Sequence, residues 1–425
     1  MINLTKNDIS WYQIFDQYDI VNKINDNGKF IIEASQINQF REARLMTKFD
    51  NHSNLPKIFR DNNLSILPIT RGSYVIAPFE TYCIFPENID KTQITYLNFP
   101  DHIQSLDPRK ITSEAIAMNC AYLSKMIDDF VGDEGLVPTI SGRMSSSDFL
   151  FNINNLSTNN TTLIQVQNSQ IEIDGCYEGL ETLSIIEAKN SISTDFLIRQ
   201  MYYPYRKLKE NISKTVKTIF LVYTNNIFTL YEYIFDDPEN YNSLRLNKVQ
   251  RYSFERTSIQ LIDIQKVIAS SGDVDEPRIP FPQADSFARI INLCELLLAR
   301  SMTKEDIGIN YDFTIRQAYY YCSAGEYLGL LKQNGKEVYL TDEGKRILSL
   351  SLNEKQLAFA KIIIKHKVFK ESLISYLHGA IRPTEDDIVK IMKASNLYNI
   401  NGETTYKRRS LTVISWVNWI LDLLD

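Results

Sequence analysis

This chain of 425 residues is short of several things, and each shortage narrows what it can be. It has five cysteines, Cys83, Cys120, Cys176, Cys294 and Cys322, with no C-x-x-C pair among them. An odd, dispersed set fits reduced thiols and excludes a disulfide framework or a zinc ribbon. The four histidines, His52, His102, His366 and His378, show no metal-ligand spacing, which argues against zinc or histidine-based nuclease chemistry. There is no G-x-x-x-x-G-K-S/T stretch, so no ATP motor is built in. No local Ser/His/Asp or Cys/His signature of nucleophilic catalysis occurs. The longest apolar runs, such as LCELLLA, fall well short of the ~20 residues that cross a bilayer. The N-terminal MINLTKNDIS lacks a basic region followed by an apolar run, so a cytoplasmic location with no membrane partner is expected.

What is present is ordinary globular composition, 44% apolar and 23% charged. The length calls for several domains. A net charge of −6 lowers the expectation of a nucleic-acid partner, because phosphate binding needs Lys and Arg. That figure is a whole-chain sum, however. The stretches RQMYYPYRKLK (199–209) and TTYKRRS (404–410) are basic and aromatic.

The clearest break is ASSGDVDEPRIPFPQADS, rich in Pro, Ser, Asp and Gly, and read as a linker over 269–286. Residues 1–110 form an α/β region that includes two strands around Arg71-Gly72, with DNA recognition one role open to it. Residues 111–268 alternate between helical and strand patterns. ITSEAIAMNCAYLSKMIDDFV has helical spacing; DFLFNIN, TTLIQVQ, IEIDG and TLSIIEAK read as strands. A helix over 193–212, capped by Ser193 and ended or kinked by Pro204, precedes two strands joined at Asn225-Asn226. Beyond the linker, residues 287–352 read as three helices and a hairpin turning at Asn334-Gly335, a winged-helix pattern, with a capping-box spacing from Thr303 to Asp306. Residues 353–425 read as a second helical or winged-helix-like module, its hairpin expected within GETTYKRRSLTVISWVNWILDLL.

The stretch QIEIDGCYEGLETLSIIEAKN (170–190) poses the chemical question, because two apolar runs each end on an acid. By period two, Leu183, Ile185, Glu187 and Lys189 share one strand face, and Asp174 ends the run before. Neighbouring strands lie about 4.8 Å apart, so Asp174 and Glu187 can converge. Two carboxylates ~4 Å apart repel by roughly 4 kcal/mol at an effective dielectric of 20. One lysine does not cancel that, whereas a divalent cation does, and oxygen ligands beside a phosphate suit Mg²⁺. The bland alternative is a surface hairpin with a cross-strand salt bridge. A second E-x-K triplet, Glu343-Gly344-Lys345, lacks a strand-borne aspartate upstream and reads as a solvated helix start.

The order helix, strands, helix, strand around D-x₁₂-E-x-K, with Gln200 and Tyr203 on the following IRQMYYPYR helix, resembles the PD-(D/E)xK nuclease superfamily. Over about 110–235 it looks like the type II restriction endonucleases of bacteria. The fold expected is α+β multidomain: a central mixed sheet flanked by helices, with mainly helical winged-helix-like modules after it. The resemblance implies Asp174 and Glu187 as metal ligands and Asp174, Glu187, Lys189 and Gln200 as the catalytic set. The cofactor implied is Mg²⁺, and the substrate double-stranded DNA. Residue 173 is Ile where Pro is common, and the Gln–Tyr spacing is one residue short, which puts Tyr203 in doubt.

Glu114 stands where relatives place an additional acid, or is a helix-start glutamate in water. Glu172 shares a face with Asp174. Arg143, Arg199 and Arg206 are candidates for the DNA backbone, with plain structural roles as the alternative. Arg316 and Gln317, near the start of the third winged helix, would read guanine and adenine. Lys407, Arg408 and Arg409 would contact phosphates. A restriction enzyme implies a cognate DNA methyltransferase in the same system, and is compatible with a homodimer. The other readings open are a DNA-binding regulator on a degenerate nuclease fold and a repair or structure-specific nuclease.

Overall fold

The runs TLSIIEAK, TVKTIFLVYT and IFTLYEYIF are dense in β-branched and aromatic residues, as strands buried on both faces are. In the computed structural model, which describes residues 4–424 apart from 88, 90, 91, 312, 380–382 and 401, they form the middle of a seven-stranded mixed sheet. Its order is Ile94–Tyr96, Leu244–Ser253, Ile227–Phe235, Thr215–Thr224, Thr182–Lys189, Gly175–Glu178 and Val137–Pro138. Gly175–Glu178 runs antiparallel to Thr182–Lys189, which runs parallel to Thr215–Thr224. The helix Arg199–Lys209 makes the crossover that a parallel pair requires. Asn225 and Asn226 both take positive φ, 54° and 63°, the geometry of a tight hairpin turn whose twist matches the strands.

The sheet is covered on both faces. Ile186, Ala188, Ile219 and Leu221 pack on one side with the helices Glu114–Leu123 and Met126–Val131. Leu183, Ile185 and Phe220 pack on the other with the crossover helix. Period-two alternation therefore sends Glu187 and Lys189 towards the crossover helix.

Several expected elements fall elsewhere. Phe149–Asn155 and Asn160–Val166 are strands as expected, but they pair with each other as a hairpin outside the large sheet, with single bridges from Asn155 to Phe79 and from Asn152 to Asn240. Phe149 and Phe151 bury against the rings of Tyr202 and Tyr203, which fixes the hairpin on the crossover helix. Gln170–Ile173 pairs with Gly142–Ser145 outside the main sheet. The helix expected from Ser193 begins at Arg199, because Asp195–Leu197 is a strand paired with Tyr82–Ile84. It runs on through Pro204, whose missing N–H costs only the bond to the carbonyl of Gln200.

Boundaries shift too. The N-terminal domain closes its own core, built on Trp11, Phe15 and Phe59, with a three-stranded sheet ending at Ala77. Tyr82–Ile84 and Ile94–Tyr96 belong to the middle region, since the first pairs with Asp195–Leu197 and the second extends the large sheet. Beyond it, Phe287–Ala299, Lys304–Asn310 and Ile315–Tyr327 are the three expected helices, with the strands Leu331–Asn334 and Glu337–Leu340 after them. The Thr303–Asp306 capping box is formed. The second expected hairpin is absent: Glu403–Leu421 is one helix, since Val413, Trp416, Val417 and Ile420 recur at helical spacing and override the β propensity of TVISWV.

Nor is 269–286 a free linker. Phe281 and Ala284 are buried in one core with residues of both C-terminal segments and with Ile259 and Ile264. The Arg409 guanidinium donates to the Phe281 carbonyl, and Trp416 Nε1 donates to the Ala284 carbonyl at 2.7 Å. Tyr321 donates to Asp285 at 3.0 Å. Among the described residues no helix is long and apolar enough to cross a membrane.

Trp416, fully buried between Phe287 and Phe369, tests the strap. Trp416→Ala should cost about 3–5 kcal/mol of stability in denaturant unfolding. It should also open 271–286 to limited proteolysis, whereas the wild type resists there; early cutting of wild type in this segment would overturn the arrangement.

Candidate active site

Three parts of the chain build the site. Gly175 pairs with Ile186, so Asp174 lies beside the end of the neighbouring strand, where its Oδ2 accepts from the Ala188 N–H at 2.9 Å. Glu187 is 8% exposed, and its Oε1 accepts from Lys189 Nζ at 3.0 Å and Gln200 Nε2 at 2.6 Å. Gln200 reaches it from the first turn of the crossover helix. Lys189 Nζ also stands 3.8 Å from Asp50 Oδ2, an acid of the N-terminal domain. Glu114 opens its helix after the Ser113 cap and interacts with the charges of Lys189, Asp174 and Asp50.

Charge is poorly balanced here. Burial, reinforced by Asp174 and Asp50 and opposed by Lys189, pushes the Glu187 carboxyl up to about 7. Burial also raises Glu114, again with Asp174 and Asp50 adding to the effect. Burial disfavours the Lys189 ammonium, but Glu187, Asp50 and Glu114 outweigh it and hold the pKa above that of an ordinary lysine. Two buried oxygens, Asp50 Oδ1 and Gln200 Oε1, have no hydrogen-bond partner.

An excess of acids with unpartnered oxygens is chemistry that suits a hard cation. Among the described residues no group of three or more His, Cys, Asp or Glu is arranged to hold a metal by itself. Mg²⁺ fits that limit, because it commonly takes one or two protein carboxylates and keeps several waters. Asp174 and Glu187 are the residues that would hold it.

Asp174, Glu187, Lys189, Gln200 and Glu114 are thus brought together as the sequence suggested, and Asp50 joins them. Asp50 carried no local signal. Its place is set by a backbone bond, Leu197 N–H to the Asp50 carbonyl at 2.9 Å, between segments far apart in the chain. Glu172 instead faces Arg143, whose Nε lies 3.3 Å from it on an exposed ladder. Tyr203 is a core residue, donating to the Pro68 carbonyl. Arg199 lies over the Tyr203 ring at 5.7 Å. Arg206 is corrected to a structural role: it is 9% exposed and donates to Leu150 and Pro238 carbonyls and the Tyr202 hydroxyl. Arg409 is likewise engaged in the strap, while Lys407 and Arg408 are exposed. Arg316 is exposed and donates to the Tyr320 hydroxyl at 2.8 Å; Gln317 closes the Thr314 capping box.

Three family models match the chain, each described only as a domain of unknown function: DUF6996 over 8–76, DUF6997 over 77–253 and DUF7226 over 289–425. No curated protein and no solved structure matches. The first two matches meet where the N-terminal sheet ends, and the second stops with the last strand of the large sheet. Asp50 thus falls in one matched region and the other five site residues in the next.

The raised Glu187 pKa makes a prediction for the metal-free protein. A carboxyl lifted from 4.5 to about 7 holds its proton more tightly when folded, so its contribution is greatest at low pH and is lost as pH rises across that interval. In EDTA, the stability of wild type relative to Glu187→Gln should fall by about 3 kcal/mol between about pH 5 and pH 8. Denaturant unfolding of both proteins across pH measures it, and parallel curves would refute the shift.

Proposed function

We propose that the protein is a Mg²⁺-dependent DNA endonuclease of the type II restriction class, acting in the cytoplasm on double-stranded DNA. The observation that carries this reading is the convergence of Asp174, Glu187, Lys189 and Gln200 at one sheet end, with buried acceptors left unpartnered. The topology is consistent with it. Val137–Pro138, Gly175–Glu178 and Thr182–Lys189 run antiparallel in sequence, and a crossover helix leads to the parallel strand Thr215–Thr224, as in a PD-(D/E)xK core. A regulator on a degenerate fold would have no reason to keep these acids buried together, since unpaired buried charge is costly.

In this reading, bound Mg²⁺ supplies charge neutralisation at the scissile phosphate and a water of lowered pKa. Asp174 and Glu187 would hold it. Lys189, kept charged by its acid neighbours, binds a phosphate oxygen or orients the attacking water. Gln200 fixes the Glu187 carboxylate by donating to it. Residues 287–352 serve as a winged-helix-like module, with Arg316 on its third helix presented to base edges, while Lys407 and Arg408 of the following module face phosphates. Arg143 and Arg199 remain candidates for the DNA backbone near the core. A methyltransferase of matching specificity would protect the host DNA, and a homodimer would suit a palindromic site.

Digestion of a sequenced plasmid with and without Mg²⁺, followed by end mapping, tests the activity. Discrete products at one sequence are expected; a smear, or ends set by DNA structure, would indicate a repair nuclease. Excess EDTA should abolish cutting, and Lys189→Ala should lower it by about 10²–10³-fold. Lys345→Ala should leave it nearly unchanged. Cutting that persists in EDTA, or equal losses from the two lysines, would end the proposal.

Specificity gives a further expectation. Arg316→Ala should relax discrimination at one position by about 1–3 kcal/mol, while Lys407→Ala weakens all sequences alike and flattens the salt dependence. Gln317→Ala is the poorer probe, because it also removes a helix cap worth about 1 kcal/mol. Competition binding against single-base variants at several salt concentrations separates the two behaviours.

A further inference from the structure

The strand that carries Glu187 and Lys189 does not end freely. Asn292, on the first helix of the C-terminal region, is 1% exposed, and its amide bonds the segment directly after Lys189 and, within its own helix, Glu295 Oε2 at 3.2 Å. Its Nδ2 donates to the Asn190 carbonyl at 2.8 Å, and its Oδ1 accepts from the Ile192 N–H at 3.2 Å. The Asn190 side chain, with its amide oxygen turned towards the helix Glu114–Leu123, accepts from the N–H groups of Glu114 at 3.1 Å and Ser113 at 3.3 Å. One buried side chain from the C-terminal region therefore fixes the chain that leaves Lys189 and, through Asn190, the helix start that carries Glu114. The same interface holds a second contact that misses this segment: Lys355, 5% exposed, donates to Asn226 Oδ1 at 2.6 Å on the hairpin turn of the neighbouring strands.

We propose that Asn292 is a positioning residue for the nuclease site, through which the C-terminal region sets the placement of Lys189 and Glu114. The inference rests on the endonuclease reading for its catalytic consequence and on geometry alone for the tie. A buried Asn that meets one carbonyl and one N–H of the same segment specifies that segment's position in a way apolar packing does not, because any displacement leaves both backbone groups unpaired. The catalytic geometry is then complete only while the C-terminal region is docked. Losing residues 258–425 would remove cutting itself, beyond removing its specificity.

The test compares Asn292→Ala with Lys355→Met in the full chain, by residue-resolved hydrogen exchange and by steady-state cleavage. Asn292→Ala should raise exchange at the Lys189 and Glu114 amides about tenfold and lower kcat about 10–100-fold with KM little changed, as expected of a misplaced reacting group. Lys355→Met, which disturbs the same interface at the Asn225-Asn226 turn and reaches Asn292 only by way of Glu295, should leave exchange at both amides and kcat within about threefold of wild type. Asn292→Ser, too short to span both backbone groups, replaces the alanine variant if that does not fold. Unchanged exchange at Lys189 and Glu114 would overturn the tie, and an equal kcat loss in Lys355→Met would overturn its specificity. If wild type cuts no DNA, the endonuclease reading fails, and the exchange comparison still decides the tie.

Discussion

The rest of the molecule is arranged around the placement of one carboxylate, Glu187, inside a folded core. Strand alternation leaves no choice of face: a residue two beyond Ile185 points where Ile185 points, into the layer between sheet and crossover helix. A lone charge there would be expelled or neutralised. The chain answers with two donors to one oxygen, Lys189 and Gln200, and with an Asp174 that is itself tied to the Ala188 N–H. Even so, Glu187 remains above the usual carboxylate range, because Asp174 and Asp50 add repulsion to burial. On the proposed reading the same group would set both stability and cation affinity, because a cation would have to displace the proton it holds.

Both flanking regions meet this core through polar contacts at its strand ends. From the N-terminal side, the Asp50 carbonyl accepts from Leu197 N–H, and His52 N–H donates to Asp195 Oδ1 at 3.0 Å. From the C-terminal side come Asn292 and the half-buried Glu295, which accepts from the Asn225 N–H at 3.2 Å. Directional bonds of this kind define a register between regions that greasy surfaces would leave loose. Asp50 from the N-terminal side and Asn292 from the C-terminal side therefore converge on the end of the strand that carries Lys189.

What was legible in the sequence follows from the range of each interaction. Period two placed Glu187 and Lys189, the Asn225-Asn226 turn announced itself, and the Thr303–Asp306 box marked a helix start, all within a few residues of chain. The failures were non-local. Phe149–Asn155 is the strand its alternation predicts, but alternation names no partner, and the one it has is its own hairpin mate. Pro, Gly and Asp made 269–286 look like a linker, while the residues that strap it, Arg409 and Trp416, lie at the far end of the chain. Asp50 and Asn292 gave no signal for the same reason: each is an ordinary residue until folding carries it to the Lys189 strand.

The two E-x-K triplets show how far the local pattern goes. Glu343 stands on the exposed start of Asp342–Leu348, where bonding to Arg346 holds its carboxyl below the usual range. Glu187 is displaced in the opposite direction by burial and by neighbouring acids. The same three-residue motif thus stands beside a surface ion pair in one place and in the other holds a buried carboxyl crowded by neighbouring acids. Only the second has a free-energy reason to recruit a cation, because a surface carboxylate already paired in water gains little from one. The triplet therefore carries chemical meaning only once the strand, the aspartate beside it and the residues arriving from distant chain are in place.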